Sequence, residues 1–304
     1  LAKMIKNLIH HYENGVFKKT TYRIVPDEKI EPVGEVLFKP KMIDMIYEDN
    51  VREAISLLLN KAKNSTINML FSGTAGAGKT TTAQMFSAET GKPFIYLTGS
   101  METKKIRDML LNAKENSIVL IDEIHNLPTK IAEIIYPAVQ DGEIYKNGER
   151  IKLKNLMFIG TTTEPQFLPK PLLARFNLIE FEELSDEKIG ELLKVKGCDE
   201  KVIGYLLNYT KNIRTINLLL EMMKLYGGIN EQNLVKVFKL KKINLYSGTS
   251  HNQDRYLAIL KKSHKSLGLR SLAIQLQKSE DYIKGEIEPD LIRKNLVIVT
   301  SRGR

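Results

Sequence analysis

Cysteine is almost absent from this chain. Cys198 stands alone, which excludes an intrachain disulfide and a cysteine-based zinc cluster. Long apolar runs are missing too: no stretch approaches the ~20 residues of a membrane span, and no signal-peptide pattern opens the chain. These absences point to a cytoplasmic protein with no membrane partner. Acidic charge is in short supply. The 36 Asp and Glu against 46 Lys and Arg leave a net charge of +10, a balance that suits a polyanionic partner. The hydrophobic content, 42%, is enough for packed cores and excludes global disorder. A length of 304 residues fits two or three domains.

The most informative stretch is Gly73-Thr74-Ala75-Gly76-Ala77-Gly78-Lys79-Thr80. An apolar run from Ile67 to Phe71 reads as a short buried strand feeding this turn. Lys79 and Thr80 then open a helix through Thr81, Ala83 and Met85. This is the G-x-x-x-x-G-K-T pattern in its strand–loop–helix setting. Gly73, Gly76, Ala77 and Gly78 let backbone N–H groups approach phosphate oxygens, and the helix N-terminus adds a favourable partial positive charge. Lys79 is expected to reach the terminal phosphates of ATP and the Thr80 hydroxyl to ligate magnesium, with Thr81 completing the nucleotide-binding run. Downstream, Ile118-Val119-Leu120-Ile121 runs straight into Asp122-Glu123, which describes a buried parallel strand whose carboxyl end meets a ligand crevice. Asp122 suits magnesium, through water or directly, and Glu123 suits polarising the attacking water.

The rest of the chain divides around these motifs. Residues 1–35 form an opening segment of unassigned role: Leu8 to Tyr12 reads as a short helix, and Pro26 and Pro32 punctuate an extended stretch. His10 and His11 are adjacent, do not share a helix face, and so read as surface residues. Over 36–183 strands and helices alternate, which indicates a parallel α/β sheet. Helices are expected at Asn50–Lys63, Met101–Asn116 and Pro128–Gln140, and strands at Pro93–Thr98, Leu156–Gly160 and Leu178–Phe181. A hairpin from Gly142 to Lys154 turns at Asn147-Gly148. Residues 184–247 read as helical, with Lys236–Lys242 a solvated helix face, and Tyr246–Ser250 reads as a polar linker. The last domain, 250–304, holds three short helices and a ribbon from Leu296 to an arginine–glycine tip, a winged-helix pattern. It carries 11 Lys and Arg against 6 Asp and Glu, half of the net charge. Thr300, Arg302 and Arg304 are the expected DNA contacts, to phosphates rather than bases.

From about Leu37 to Arg304 the chain resembles the RuvB family of motors that drive branch migration of four-way DNA junctions. The resemblance rests on Gly73 to Thr81, on Leu120-Ile121-Asp122-Glu123-Ile124-His125, on Ile159-Gly160-Thr161-Thr162-Thr163, and on the last domain. There Asp254-Arg255, Gly268-Leu269 with Ser271-Leu272-Ala273, Ile287-Glu288-Pro289 with Leu291-Ile292, and Thr300-Ser301-Arg302-Gly303-Arg304 follow in family order. It implies an AAA+ P-loop domain (36–183), a helical lid (184–247) and a C-terminal winged helix (250–304). It implies a homo-oligomeric ring, most simply a hexamer, acting on duplex DNA and four-way junctions in recombination and repair. Arg175, in Leu172-Leu173-Ala174-Arg175-Phe176, matches the arginine finger that a neighbouring subunit inserts into the ATP site. Thr162 or Thr163 matches the polar sensor, and Arg214 the sensor arginine of the lid. Pro40, Ile46 and Tyr47, with Phe38 and Lys39, fall where the family holds adenine. Thr74-Ala75 replaces the family's proline pair, and Leu173 stands where the family has another arginine. The hairpin after Asp141 is several residues shorter than the family's. That hairpin docks RuvA, so its shortening argues against a RuvA-like partner that the resemblance otherwise implies. A clamp-loader subunit resembles Thr162–Gln166 and Leu173–Arg175 as well, but should end in a helical collar. A DNA-binding regulator that uses ATP only to assemble is the remaining alternative.

Overall fold

In the computed structural model the chain opens with strands where a helix was expected. Strands β1 (Leu8–Glu13), β2 (Val16–Ile24) and β3 (Ile30–Leu37) pair antiparallel in that order. The overlooked signal is Asn14-Gly15, which lies between the paired residues Glu13 and Val16 and is the dipeptide that two-residue hairpin loops favour. The structure describes residues 8–13, 16–24, 30–37, 40–146, 148–263, 265–300 and 303–304, with side chains from residue 40 onward. Leu1–Leu184 and Ser185–Arg304 are two compact units.

The first unit is a three-layer sandwich built on strand alternation. In order come α1 (Asp49–Asn64), β4 (Met69–Gly73), α2 (Lys79–Thr90), β5 (Phe94–Leu97), α3 (Thr103–Leu111), β6 (Ile118–Ile121) and α4 (Thr129–Asp141). The hairpin β7 (Glu143–Lys146) and β8 (Glu149–Lys152), then β9 (Met157–Thr162), α5 (Lys170–Leu173) and β10 (Asn177–Phe181), complete it. Five strands form a parallel sheet in the order β10-β4-β9-β6-β5. Successive side chains of a strand point to opposite faces, so both faces must be apolar for the sheet to be buried. Met69, Phe71, Ile118, Leu120, Met157 and Ile159 pack with Val51, Ile55, Met85 and Phe86 of α1 and α2. Leu70, Val119, Ile121 and Phe158 pack with Ile106, Leu110, Ile131 and Ile135 of α3 and α4. Each fully buried side chain of this size contributes about 1.5–3 kcal/mol. The chain leaves β4 for the β5 edge and leaves β9 for the β10 edge, which opens a crevice at the carboxyl ends of those neighbours.

The second unit begins with four helices, α6 (Asp186–Val195), α7 (Glu200–Tyr209), α8 (Ile213–Leu225) and α9 (Glu231–Lys241). Ser185, Asp199, Asn212 and Asn230 each accept a backbone N–H from the first turn, the capping that fixes where these helices start. On α9, Val237 and Phe238 are buried while Lys236, Lys239 and Lys241 are exposed, so the basic run is a solvated face. The expected linker is instead a bonded seam. Asn244 Oδ1 accepts the N–H groups of Tyr246 and Ser247, and Asn208 of α7 donates to the Tyr246 carbonyl. Gly248 has φ +58° and lies so close to Asn208 that a Cβ would sit 2.5 Å from its carbonyl oxygen. From the other side, Lys294 donates to the carbonyls of Ser247 and Gly248, and the buried Thr249 hydroxyl donates to Asp254.

Beyond the seam lie α10 (His251–Lys262), α11 (Leu269–Leu276) and α12 (Glu280–Tyr282), the last continuing through a π turn at Ile283–Ile287 into α13 (Glu288–Arg293). Tyr256, Leu272, Leu276, Ile283, Ile287 and Leu291 form their core. Among the described residues, the expected ribbon from Leu296 shows a bridge between Thr300 and Gly303. Among the described residues no helix is long and apolar enough to cross a membrane.

Candidate active site

The phosphate loop follows β4 directly. Gly73 has φ +141°, and a Cβ there would sit 2.4 Å from the Phe181 carbonyl oxygen, so only glycine passes between β4 and β10. Gly78 caps α2 in the left-handed region. The Lys79 side chain is buried and folds back to donate to the carbonyls of Gly73 (2.7 Å) and Thr74 (2.9 Å). Its charge is thus held over the loop, where phosphate oxygens would take those carbonyls' place. Gly76, Ala77 and Thr81 are half-buried around it.

The segment expected to hold adenine lies beside this loop. Tyr47 is buried and shares a 2.9 Å hydrogen bond with Thr82 of α2; burial pushes its phenol up to about 12. Arg52 donates to the Met45 carbonyl at 2.8 Å, and the Met45 methyl would lie 3.8 Å from a Cβ on Gly78. Pro40 is buried and Ile46 half-buried, while Phe38 and Lys39 lie outside the described residues.

Asp122 and Glu123 stand at the end of β6. Asp122 Oδ1 accepts the hydroxyls of Thr80 (3.3 Å) and Thr161 (2.6 Å), and Oδ2 accepts that of Tyr96 (2.7 Å). Glu123 is left-handed, φ 47° and ψ 54°, a conformation few non-glycine residues adopt. Its N–H donates to Thr161 Oγ1 at 3.1 Å, so one threonine secures both acids. Glu123 Oε2 lies 3.3 Å from the Thr163 N–H, 3.5 Å from the Thr163 hydroxyl and 3.2 Å from His125 Nδ1. Thr162 turns away from Glu123, to His125 Nδ1 at 2.9 Å and the Glu164 N–H at 3.0 Å. His125 Nε2 is also 3.3 Å from Glu164. Sequence reasoning had named neither Thr161 nor Tyr96 as a site residue.

Among the described residues no group of three or more His, Cys, Asp or Glu is placed to hold a metal ion. The fit is instead to magnesium, which uses one or two protein oxygens and completes its octahedron with water and phosphate. Thr80 and Asp122 are such a pair.

Two more expected site residues are surface arginines. Arg175, after α5, has an exposed side chain, and its backbone N–H donates to the Leu172 carbonyl at 3.0 Å. Arg214, in the first turn of α8, is exposed as well.

Arg304, expected at a DNA contact, is engaged inside its own domain. It is no free tip: its guanidinium donates to both carboxylate oxygens of Glu288, at 2.6 and 3.0 Å, with the side chains 13% and 5% exposed. Its backbone pairs with Leu267 in both directions. Tyr256 donates to the same carboxylate at 2.8 Å. Burial alone would raise the Glu288 carboxyl, but the bonds from Arg304 and Tyr256 outweigh it and hold the group below its ordinary value. The Thr300 hydroxyl donates to the Gly303 carbonyl. Arg302 lies outside the described residues.

A glycine-rich loop cradling a buried lysine, with paired acids at the end of a neighbouring parallel strand, defines a P-loop ATPase. Residues 38–181 match the family model of the Holliday junction DNA helicase RuvB P-loop domain, and residues 247–304 that of the RuvB C-terminal winged helix domain. The RuvB subunit of the Holliday junction branch migration complex from Campylobacter lari is 30% identical, over 93% of each chain. That from Mycoplasmopsis pulmonis is 28% identical over 86% of this chain and 92% of its own. The solved structure of the Thermotoga maritima RuvB Holliday junction branch migration motor aligns over 88% of this chain and 94% of its own, with a TM-score of 0.67 at 23% identity. This chain belongs to the RuvB family.

Proposed function

We propose that this protein is an ATP-driven motor that translocates duplex DNA and promotes branch migration of four-way junctions. The observation that carries the reading is the joining, in one chain and in family order, of the Lys79–Thr80–Asp122–Glu123 site to a RuvB winged helix at 247–304. That winged helix displaces the clamp-loader reading, which requires a helical collar there. In this reading Lys79 binds the terminal phosphates, and Thr80 and Asp122 hold magnesium. Bound magnesium would supply charge neutralisation on the phosphates. Glu123 accepts the proton of the attacking water. The contact of Thr163 with Glu123 favours Thr163 over Thr162 as the sensor. The exposed Arg175 side chain suits insertion into a neighbour's site in a homo-oligomeric ring, and Arg214 serves as the sensor of the lid over 184–247. Residues 36–183, 184–247 and 250–304 act as ATPase, lid and DNA-binding domains, in the cytoplasm. Were a RuvA-like partner used, it would have to dock on the hairpin Glu143–Lys152, which is shorter than the family's.

The test is branch migration of a fluorescent synthetic four-way junction by the purified protein with ATP and magnesium. ATP-dependent separation of the junction into its duplex products is expected. Hydrolysis indifferent to DNA, with no separation even when a RuvA-type protein is added, would refute the motor and favour an ATP-assembled DNA-binding regulator.

A further inference from the structure

The carboxylate of Asp122 is gripped by hydroxyls from three elements. Thr80 reaches Oδ1 from the start of α2 and Thr161 from β9, whereas Tyr96 holds Oδ2, at 2.7 Å, from the edge strand β5. Thr80 belongs to the phosphate-loop motif. Tyr96 belongs to no motif. It stands opposite Leu120 in the parallel register, with Leu97 opposite Ile121, so its long side chain runs toward the carboxyl end of the sheet and ends at Asp122. Its ring packs with the core shared by α1 and α2, which fixes where the hydroxyl lies.

We propose that Tyr96 is a positioning residue for the magnesium–nucleotide site. A carboxylate attached through one rotatable bond presents either oxygen about equally. With Oδ2 tied to Tyr96, Oδ1 stays beside the Thr80 hydroxyl. Thr80 can then donate its proton to Asp122 while its oxygen lone pairs face the metal. Magnesium tolerates little departure from octahedral geometry, so a carboxylate free to swing weakens its site. The proposal rests on the reading that Asp122 serves magnesium.

The test is magnesium titration of the binding of a fluorescent ADP analogue to the full chain, a readout without turnover. Wild type is compared with Tyr96→Phe, Asp122→Asn and the double variant. Removing an outer partner of a metal-ligating group costs about 10–100-fold in metal affinity. Tyr96→Phe should therefore raise the magnesium midpoint about tenfold, with the affinity for nucleotide in EDTA and the melting temperature unchanged. Because Tyr96 acts through Asp122, the double variant should bind magnesium no worse than Asp122→Asn alone. A wild-type midpoint in Tyr96→Phe beside a shifted one in Asp122→Asn overturns the proposal and leaves the metal reading standing. A wild-type midpoint in both variants overturns both. A fall in EDTA affinity or melting temperature as large as the magnesium effect would make Tyr96 a packing residue and also overturn it.

Discussion

Replacing Arg304 with alanine would strip a nearly buried carboxylate of its counter-ion. Glu288 is 5% exposed and accepts two guanidinium bonds, at 2.6 and 3.0 Å. Breaking one side of a buried ion pair costs about 3–5 kcal/mol. Two features place this pair at the lower end: Tyr256 still donates to the carboxylate, and the abandoned Glu288 can take up a proton. A loss of about 3 kcal/mol corresponds to a fall of on the order of 10 °C in melting temperature for a unit of this size. The sign of the pH dependence follows. The folded Glu288 carboxyl lies below its ordinary value of 4.5, so the pair stabilises fully above that value and loses its effect as the pH falls through the folded one. The gap between wild type and Arg304→Ala should be wide at neutral pH and close in acid. Thermal melts at both pH values measure this, and duplex titrations at several salt concentrations complete the assay. Because the guanidinium is occupied, the log–log salt slope should stay the same. An unchanged melting temperature with a slope flatter by about one unit would mean that Arg304 holds a phosphate instead, refuting the structural role.

Glu123→Gln should retain ATP binding but lose turnover by about 10²–10⁴-fold, since an amide takes no proton from water; activity within threefold of wild type would remove Glu123 from that role. Arg175→Ala should bind nucleotide normally and hydrolyse it poorly, and mixing it with Lys79→Ala should partly restore hydrolysis, because one partner keeps a working pocket and the other a working arginine. Mixtures that never exceed the sum of the separate variants, in complexes shown by sedimentation to be mixed, would end the shared-site reading.

Much of the site was legible because its chemistry is local. A phosphate loop needs glycines, a lysine and a hydroxyl within a few residues, and the strand before Asp122 announces itself as four apolar residues. What was not legible depends on neighbours distant in sequence. Tyr96 and Thr161 meet Asp122 across 26 and 39 positions, through a strand order that no single segment encodes. Of the two sensor candidates, strand alternation sends Thr162 toward His125, while the position after the strand end brings Thr163 to Glu123. Arg304 looked like a tip because its partner, Glu288, sits sixteen positions back in what reads as an ordinary amphipathic helix. Strands β1–β3 are illegible for a different reason: Leu8 to Tyr12 is too short a run to tell a helix from a strand by its pattern alone.

The seam between α9 and α10 sets how motion travels through the second unit. Polar residues such as Tyr246–Ser250 suggest a slack tether, and a tether would let the two helical groups tumble independently. Here Asn208 holds the turn from one side and Lys294 from the other, while Gly248 fits a gap too narrow for any side chain. A joint bonded on both flanks resists bending more than a free tether does. A turn of α6–α9 would then tend to carry α10–α13 with it, as a crank passes its angle to the handle.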